Sequence, residues 1–223
     1  MIEYKARPEE RRKFFNTGYQ MQNGVSFSGG DEKTKFYTSY QNLRNNGIVP
    51  KDKFDRNSFR FNASREMGRL TAGFNLSYTI AKTNVTTNDA QANSVYWNVF
   101  NNTVMAPVTQ YKDWQNDKFA NPNGYYNAFY FNPYFILDTY RTNERRNTLV
   151  GNVDLSYKIT DWLRAQYRIG ATSIDQASLA TQNKFTFNNY VLAGTNVNKQ
   201  GQNLAGYVQD LSSNYRRINS DLF

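Results

Sequence analysis

The 223 residues contain no His and no Cys, against 27 Lys and Arg and 18 Asp and Glu, so the side chains able to do chemistry are carboxylates, amines and hydroxyls. Without imidazole or thiol, the commonest general base, the strongest nucleophile and the softer metal ligands are absent. Three acidic groupings remain. Glu9-Glu10 falls in a charged lead-in and Asp31-Glu32 in a turn, where solvated surface is the expectation. Asp52 and Asp55, beside Lys51 and Lys53, lack the additional oxygen ligands that calcium takes. Gly29-Gly30 has no phosphate-loop pattern and does not open a helix. No Ser-Lys motif is present. These residues predict a chain that is not an enzyme, with no cofactor and no metal.

Charge and composition narrow the alternatives. The formal charge is +9 and the pI about 9.6, but the basic residues are scattered, with the densest groups at Arg11-Arg12-Lys13, Arg145-Arg146 and Arg216-Arg217. No stripe runs along one element, so nucleic acid is not expected as a partner. Basic loops of this kind suit the phosphates of lipopolysaccharide. Mean hydropathy is −0.78 and no run of about 18 apolar residues occurs, which excludes helical membrane spans. Yet 16% of the residues are aromatic, including 17 Tyr and 16 Phe. A polar chain rich in aromatics fits a transmembrane barrel, with its wet interior and aromatic girdles.

The elements that must position these groups are strands, and Leu70 to Ala81 defines them. Leu70, Ala72, Phe74, Leu76, Tyr78 and Ile80 alternate with Thr71, Gly73, Asn75, Ser77 and Thr79. The period is two, so one face is greasy and the other small and polar. At about 3.3 Å per residue and a tilt of about 45°, such a stretch stands roughly 28 Å tall, the height of a bilayer's apolar core.

In chain order, residues 1–18 read as a polar lead-in with a short helical or irregular piece over 8–15, and 19–81 as four strands. Pairing is expected between Phe27 and Phe36, between Phe61 and Phe74, and between Tyr157 and Leu163, the last placing Asp154 across from Gln166. Residues 82–144 read as a long extracellular loop containing a helix near Ser94 to Met105. Residues 145–174 form a hairpin, 175–212 a second long loop, and 213–223 the start of another strand. Short and long connections alternate strictly along the chain, so in an up-and-down meander all short turns share one rim and all long loops the other. Met1 to Pro8 lacks the apolar core of a signal peptide, which predicts that a barrel chain of this kind is a fragment.

The stretch from Phe14-Phe-Asn-Thr-Gly-Tyr-Gln through Asn45-Asn-Gly-Ile-Val-Pro50 resembles the barrel of the SusC/RagA family of TonB-dependent outer-membrane transporters. Phe54-Asp-Arg-Asn-Ser-Phe-Arg-Phe-Asn62 and Thr160-Asp-Trp-Leu-Arg164 are similar to recurrent strand starts and turns of that family. The resemblance implies part of a barrel of about 22 strands, closed in the whole protein by a plug that this chain does not contain. It implies uptake of glycans or peptides at the outer membrane of a Gram-negative, Bacteroidetes-type cell, with a SusD-like surface lipoprotein as partner and energy from the TonB complex. This chain would supply about seven strands of all-β, antiparallel wall and the extracellular loops. The alternative is a soluble all-β surface module that binds glycans or serves adhesion, with its greasy faces buried against a second sheet.

Within the barrel expectation, Leu70, Phe74, Leu76, Val153, Leu155 and Ile169 face lipid, while Asn75, Ser77, Asp154, Arg164 and Arg168 face the lumen. The aromatic-rich stretch 111–140 is expected to be a contact surface for substrate or lipoprotein. Trp114, Tyr125, Tyr126 and Tyr130 are the expected exposed contacts, because Asn or Gly lies near each of them. A self-packed cap is the competing role for the same aromatics.

Overall fold

The computed structural model describes residues 4–87, 94–117, 120, 131–182, 185–186, 202–203 and 207–222, with side chains described up to 181. Its strands are β1 (Tyr19–Gly30), β2 (Thr34–Asn46), β3 (Lys53–Met67), β4 (Leu70–Thr86), β5 (Tyr140–Lys158), β6 (Arg164–Gln182), β7 (Phe185–Thr186), β8 (Gln202–Asn203) and β9 (Tyr207–Leu222). Seven of them form one antiparallel sheet in the order β1-β2-β3-β4-β5-β6-β9, an up-and-down meander; β7 and β8 pair separately. The fold is all-β, and the sheet is open, with β1 and β9 at its two edges.

Three turns join β1 to β2, β3 to β4 and β5 to β6 on one rim; the connections through 47–52, 87–139 and 183–206 lie on the other. The first turn is closed by Asp31, whose Oδ1 accepts from the amides of Lys33 at 2.8 Å and Thr34 at 2.6 Å. Gly30 leads into it at φ 147°, where a Cβ would lie 2.1 Å from the Thr34 carbonyl oxygen, so only glycine fits. Gly68, at φ 63°, serves the second turn.

The observed register differs from the expected pairing by two residues in all three hairpins. Phe27 faces Thr38, Phe61 faces Leu76 and Tyr157 faces Ala165, so Asp154 lies opposite Arg168 rather than Gln166. A slip of one would have moved every side chain to the wrong face, whereas a slip of two preserves the faces and is invisible to an alternating pattern. Turn geometry supplies the missing information. Phe27 and Phe36 still meet diagonally, with ring centroids 5.7 Å apart.

One sheet face is consequently greasy. The ladder carries Phe36, Ala63, Phe74, Val153 and Ile169 across five strands, and Tyr40, Phe59, Tyr78 and Leu149 two rows higher. Phe74 is 39% exposed, Leu155 38% and Ile169 40%, so among the described residues this face is not covered by a second sheet. In β4 the band runs from Leu70 to Ile80, about the 9–11 residues that cross a membrane. The strands continue past it on the long-loop rim: β4 extends to Thr86, β5 begins at Tyr140 and β6 reaches Gln182. Parts of the expected loops 82–144 and 175–212 are therefore strand. No described helix is long and apolar enough to cross a membrane, which says nothing about crossing by strands.

Leu76 lies mid-band. In a barrel refolded into vesicles, Leu76→Arg is expected to cost about 2–4 kcal/mol, and Asn75→Arg on the other face much less. Denaturant titration of the two variants checks this, and equal costs would reverse the face assignment.

Candidate functional site

The opposite face of the same ladder is polar and carries the residues expected to line a lumen. Asn75 stands opposite Asn152 and Asn62, and Ser77 opposite Arg60 and Val150. Asp154 is the hub. It accepts from Arg168, in an ion pair, from Asn152 and from Asn75 Nδ2 at 3.5 Å. Arg164 stands opposite Lys158 at the short-turn end, away from this cluster. The structure thus joins Asn75, Asp154 and Arg168 and puts Ser77 and Arg164 on the same face without contact to them. Toward the long-loop rim Arg56 donates to Gln41 Oε1 at 3.3 Å, and Thr79 hydroxyl to Ser58 at 3.3 Å. Depressions of about 490 and 370 Å³ on this face are lined by side chains such as Ser39, Arg60 and Thr79, and Lys35, Asn62 and Asn75. The chemistry on offer is hydrogen bonding plus fixed cations, suited to holding a polar solute weakly.

Above the long-loop rim sits a small hydrophobic core. The helices α1 (Glu9–Phe14), α2 (Val95–Phe100) and α3 (Pro133–Thr139) pack Phe14, Val95, Val99, Val108, Phe135, Ile136 and Leu137 together. Helix α2 begins where the spacing of Val95 and Val99 predicts one, and Ser94 Oγ accepts from the Trp97 amide at 3.2 Å. Asn132 caps α3, followed by Pro133 in its first turn. Fully buried, its Nδ2 donates to the carbonyls of Tyr111 at 2.8 Å and Ala120 at 2.7 Å, fastening two loop segments to the helix.

Trp114 belongs to this core. It is 5% exposed, packs edge-on against Phe135 at 5.1 Å, and donates from Nε1 to Asp138 at 2.9 Å. The expectation that Trp114 is exposed is overturned: a ring with one polar atom satisfied by a nearby carboxylate is more stable buried than solvated. Tyr125, Tyr126 and Tyr130 lie outside the described residues.

Sequence reasoning missed what ties cap to sheet. Asp52 Oδ1 accepts from Arg141 Nη1 at 3.0 Å and from the amide of Thr86 at 2.8 Å, bridging the 47–52 connection to β4 and β5. Arg141 also donates to the Lys51 carbonyl at 2.9 Å, and Lys51, at φ 71°, pairs with Asp138. Asp52 is therefore a structural anchor. No local signal links residues 52, 86 and 141; the helix Pro133–Thr139 was missed as well, although Asn132 before Pro133 is a signal that could have found it. The lead-in is held by Glu10, which accepts from the Thr109 amide at 3.0 Å. Burial works against the Glu10 carboxylate, but the Thr109 hydroxyl and amide and nearby Lys13 outweigh it and hold its pKa below 4.5. Burial, assisted by the Glu10 charge, pushes Tyr134 up to about 12. Among the described residues, no three Asp or Glu side chains gather as a metal site.

No family profile matches the chain, and no curated protein matches it. Solved structures do. The chain is similar to the RagAB peptide importer in its open-open state, with 17% identity and a TM-score of 0.64 over 99% of this chain. It is similar also to the closed-closed state of that importer, at 18% identity and 0.58, and to a structure of the RagAB peptide transporter, at 18% and 0.56, each over 81% of this chain. At such identity the likeness shows a shared fold. The chain spans 20% to 23% of the length of the chains it matches.

Asn132→Ala removes two buried donors and should destabilise the cap by about 2–3 kcal/mol. Hydrogen exchange should quicken across 95–117 and 131–139 while the β3–β4 ladder keeps its protection; a uniform loss would show that cap and sheet unfold together. Because the folded pKa of Glu10 lies below its unfolded value, its contact contributes fully above pH 4.5 and is lost as pH falls through the folded pKa. Exchange at the Thr109 amide should rise on acidification in that window, and Glu10→Gln should abolish the pH dependence.

Proposed function

We propose that this chain is wall and outer-loop structure of a larger outer-membrane nutrient importer of the TonB-dependent SusC/RagA type. The carrying observation is the open, seven-stranded meander with one apolar band, which superposes along 99% of its length on a chain of the RagAB peptide importer. Two free edges call for further strands, because unpaired backbone groups are not tolerated in hydrocarbon. Several features support the uptake reading. The face opposite the band is polar and hydrogen-bonding, and the described parts of the 87–139 connection, 94–117 and 131–139, pack into one small core on the rim of the long loops.

In this proposal the substrate is a peptide or oligosaccharide. The partner is a SusD-like surface lipoprotein over the long-loop rim, and TonB acts through a part of the protein outside this chain. The buried position of Trp114 shifts the cap's role toward scaffold, leaving Tyr125, Tyr126 and Tyr130 as the proposed contacts. A soluble glycan-binding sandwich is disfavoured by the uncovered greasy face.

The test uses the full-length protein in its native membrane. Alanine at Tyr125, Tyr126 and Tyr130 should reduce peptide or oligosaccharide uptake, or co-purification of the lipoprotein, several-fold while the barrel still assembles. Unchanged uptake and association would remove these residues from the contact surface, and recovery of the protein in buffer without detergent would overturn the importer itself.

A further inference from the structure

Beyond the apolar band, the outward face of the sheet changes character abruptly. Two rows above Tyr40, Phe59, Tyr78 and Leu149, the ladder reads Arg44, Asp55, Lys82, Arg145, and the next row brings Lys53 opposite Asn46 and Asn84. Lys82 and Arg145 are directly opposed on neighbouring antiparallel strands, with both side chains exposed on the same face. Like charges in that position destabilise a strand pair. Asp55 offsets little, since it is spent on Arg44 at 3.8 Å. Among the described residues no carboxylate lies within ion-pairing distance of Lys53, Lys82 or Arg145; the guanidinium of Arg145 donates to Asn147 Oδ1 at 3.3 Å. These side chains line an open groove of about 570 Å³ with Asn84, Asn143 and Leu179, and the carboxylates Asp55 and Glu144 also border it, so the three cations exceed the two anions by one.

We propose that Lys53, Lys82 and Arg145 form a docking site for the phosphates of an outer-leaflet glycolipid. The inference rests on the membrane-barrel reading. Height selects the ligand: Lys82 is four residues beyond Tyr78, which at about 3.3 Å per residue and a tilt of about 45° puts its Cα roughly 9 Å above that row. Aromatic rows of this kind sit at the headgroup level, so the cations stand where lipid phosphates and sugars lie. Direction selects it too, because the groove opens on the lipid side of the wall, continuous with the band through Ile80 and Leu149, and not into the lumen. A phosphate bridging Lys82 and Arg145 converts their repulsion into two charge-assisted contacts. Leu179 and the paired amides Asn84 and Asn143 give the adjoining sugar an apolar and a hydrogen-bonding surface.

The test measures binding of lipid A bearing two phosphates to the full-length protein in detergent micelles. Each cation near an anionic headgroup contributes roughly fivefold, so the triple variant Lys53→Gln, Lys82→Gln, Arg145→Gln should bind about a hundredfold more weakly. Lys33→Gln, in the exposed turn at the opposite rim, should leave binding unchanged. Lipid A stripped of phosphate should bind the native protein as poorly as the bisphosphorylated lipid binds the triple variant. The variant removes like-charge repulsion, so it is expected to assemble, and its heat resistance in detergent checks that it has. Equal binding by variant and native protein, equal binding of stripped lipid, or full displacement by equimolar inorganic phosphate would each overturn the inference while leaving the barrel intact. A protein recovered in buffer without detergent would overturn the barrel reading and the inference with it.

Discussion

Backbone peptide groups need partners, a strand finds them in the strands beside it, and the whole sheet answers to that constraint. It requires strands paired along their length, which the ladder supplies from Tyr19 and Asn46 at one edge to Gln182 and Tyr207 near the other. Pairing in turn imposes alternation, since each residue must point to one face of the sheet or the other. One face can then be polar and chemically varied while the other carries an apolar band. That division explains why Asp154 and Arg168 can neutralise each other on one face while Val153 and Ile169, adjacent to them in sequence, stand bare on the other.

Alternation was legible because it is a local property, repeated in every strand. Face assignments for Phe74, Leu76, Val153 and Ile169 needed no knowledge of the partner strand, and they agree with the observed ladder. Register was not legible to the same degree. In all three hairpins the turn shifts the pairing by two residues, a displacement to which a period-two pattern is blind. The length of the strands escaped notice for a related reason. Beyond the band, Arg141 to Thr148 is polar on both faces and Lys82 to Thr86 has only Val85 as an apolar residue, so nothing in their composition separates a strand in water from a loop.

The cap shows the opposite balance. Its helices left local traces, in Ser94 before Val95 and in Asn132 before Pro133. Its attachments did not. Asp52 with Arg141, Glu10 with Thr109 and Lys51 with Asp138 join residues 87 to 99 positions apart, and each half looks like ordinary polar surface until the other is brought to it. Trp114 illustrates the cost of judging exposure from sequence neighbours alone: nearby Asn116 suggested solvent, but Asp138 and Phe135 enclose it.

The apolar band also carries information that no single strand holds. Phe27, Thr38, Phe61, Leu76, Gly151 and Ala171 occupy one continuous ladder row. In β1 that row is near the short-turn end of the apolar run, which extends up through Val25 and Met21 to Tyr19. In β6 it is near the upper end, with Ile169, Tyr167 and Ala165 below. The band therefore drifts toward the short-turn rim as it crosses the sheet. A level slab can cross ladder rows obliquely only if the strands lean relative to it, and lean with stagger is what closing a sheet into a barrel demands. A covering protein sheet has no need to keep its edge level across six strands. The oblique band thus records the lean of a barrel wall, and it does so from the positions of side chains that never touch one another.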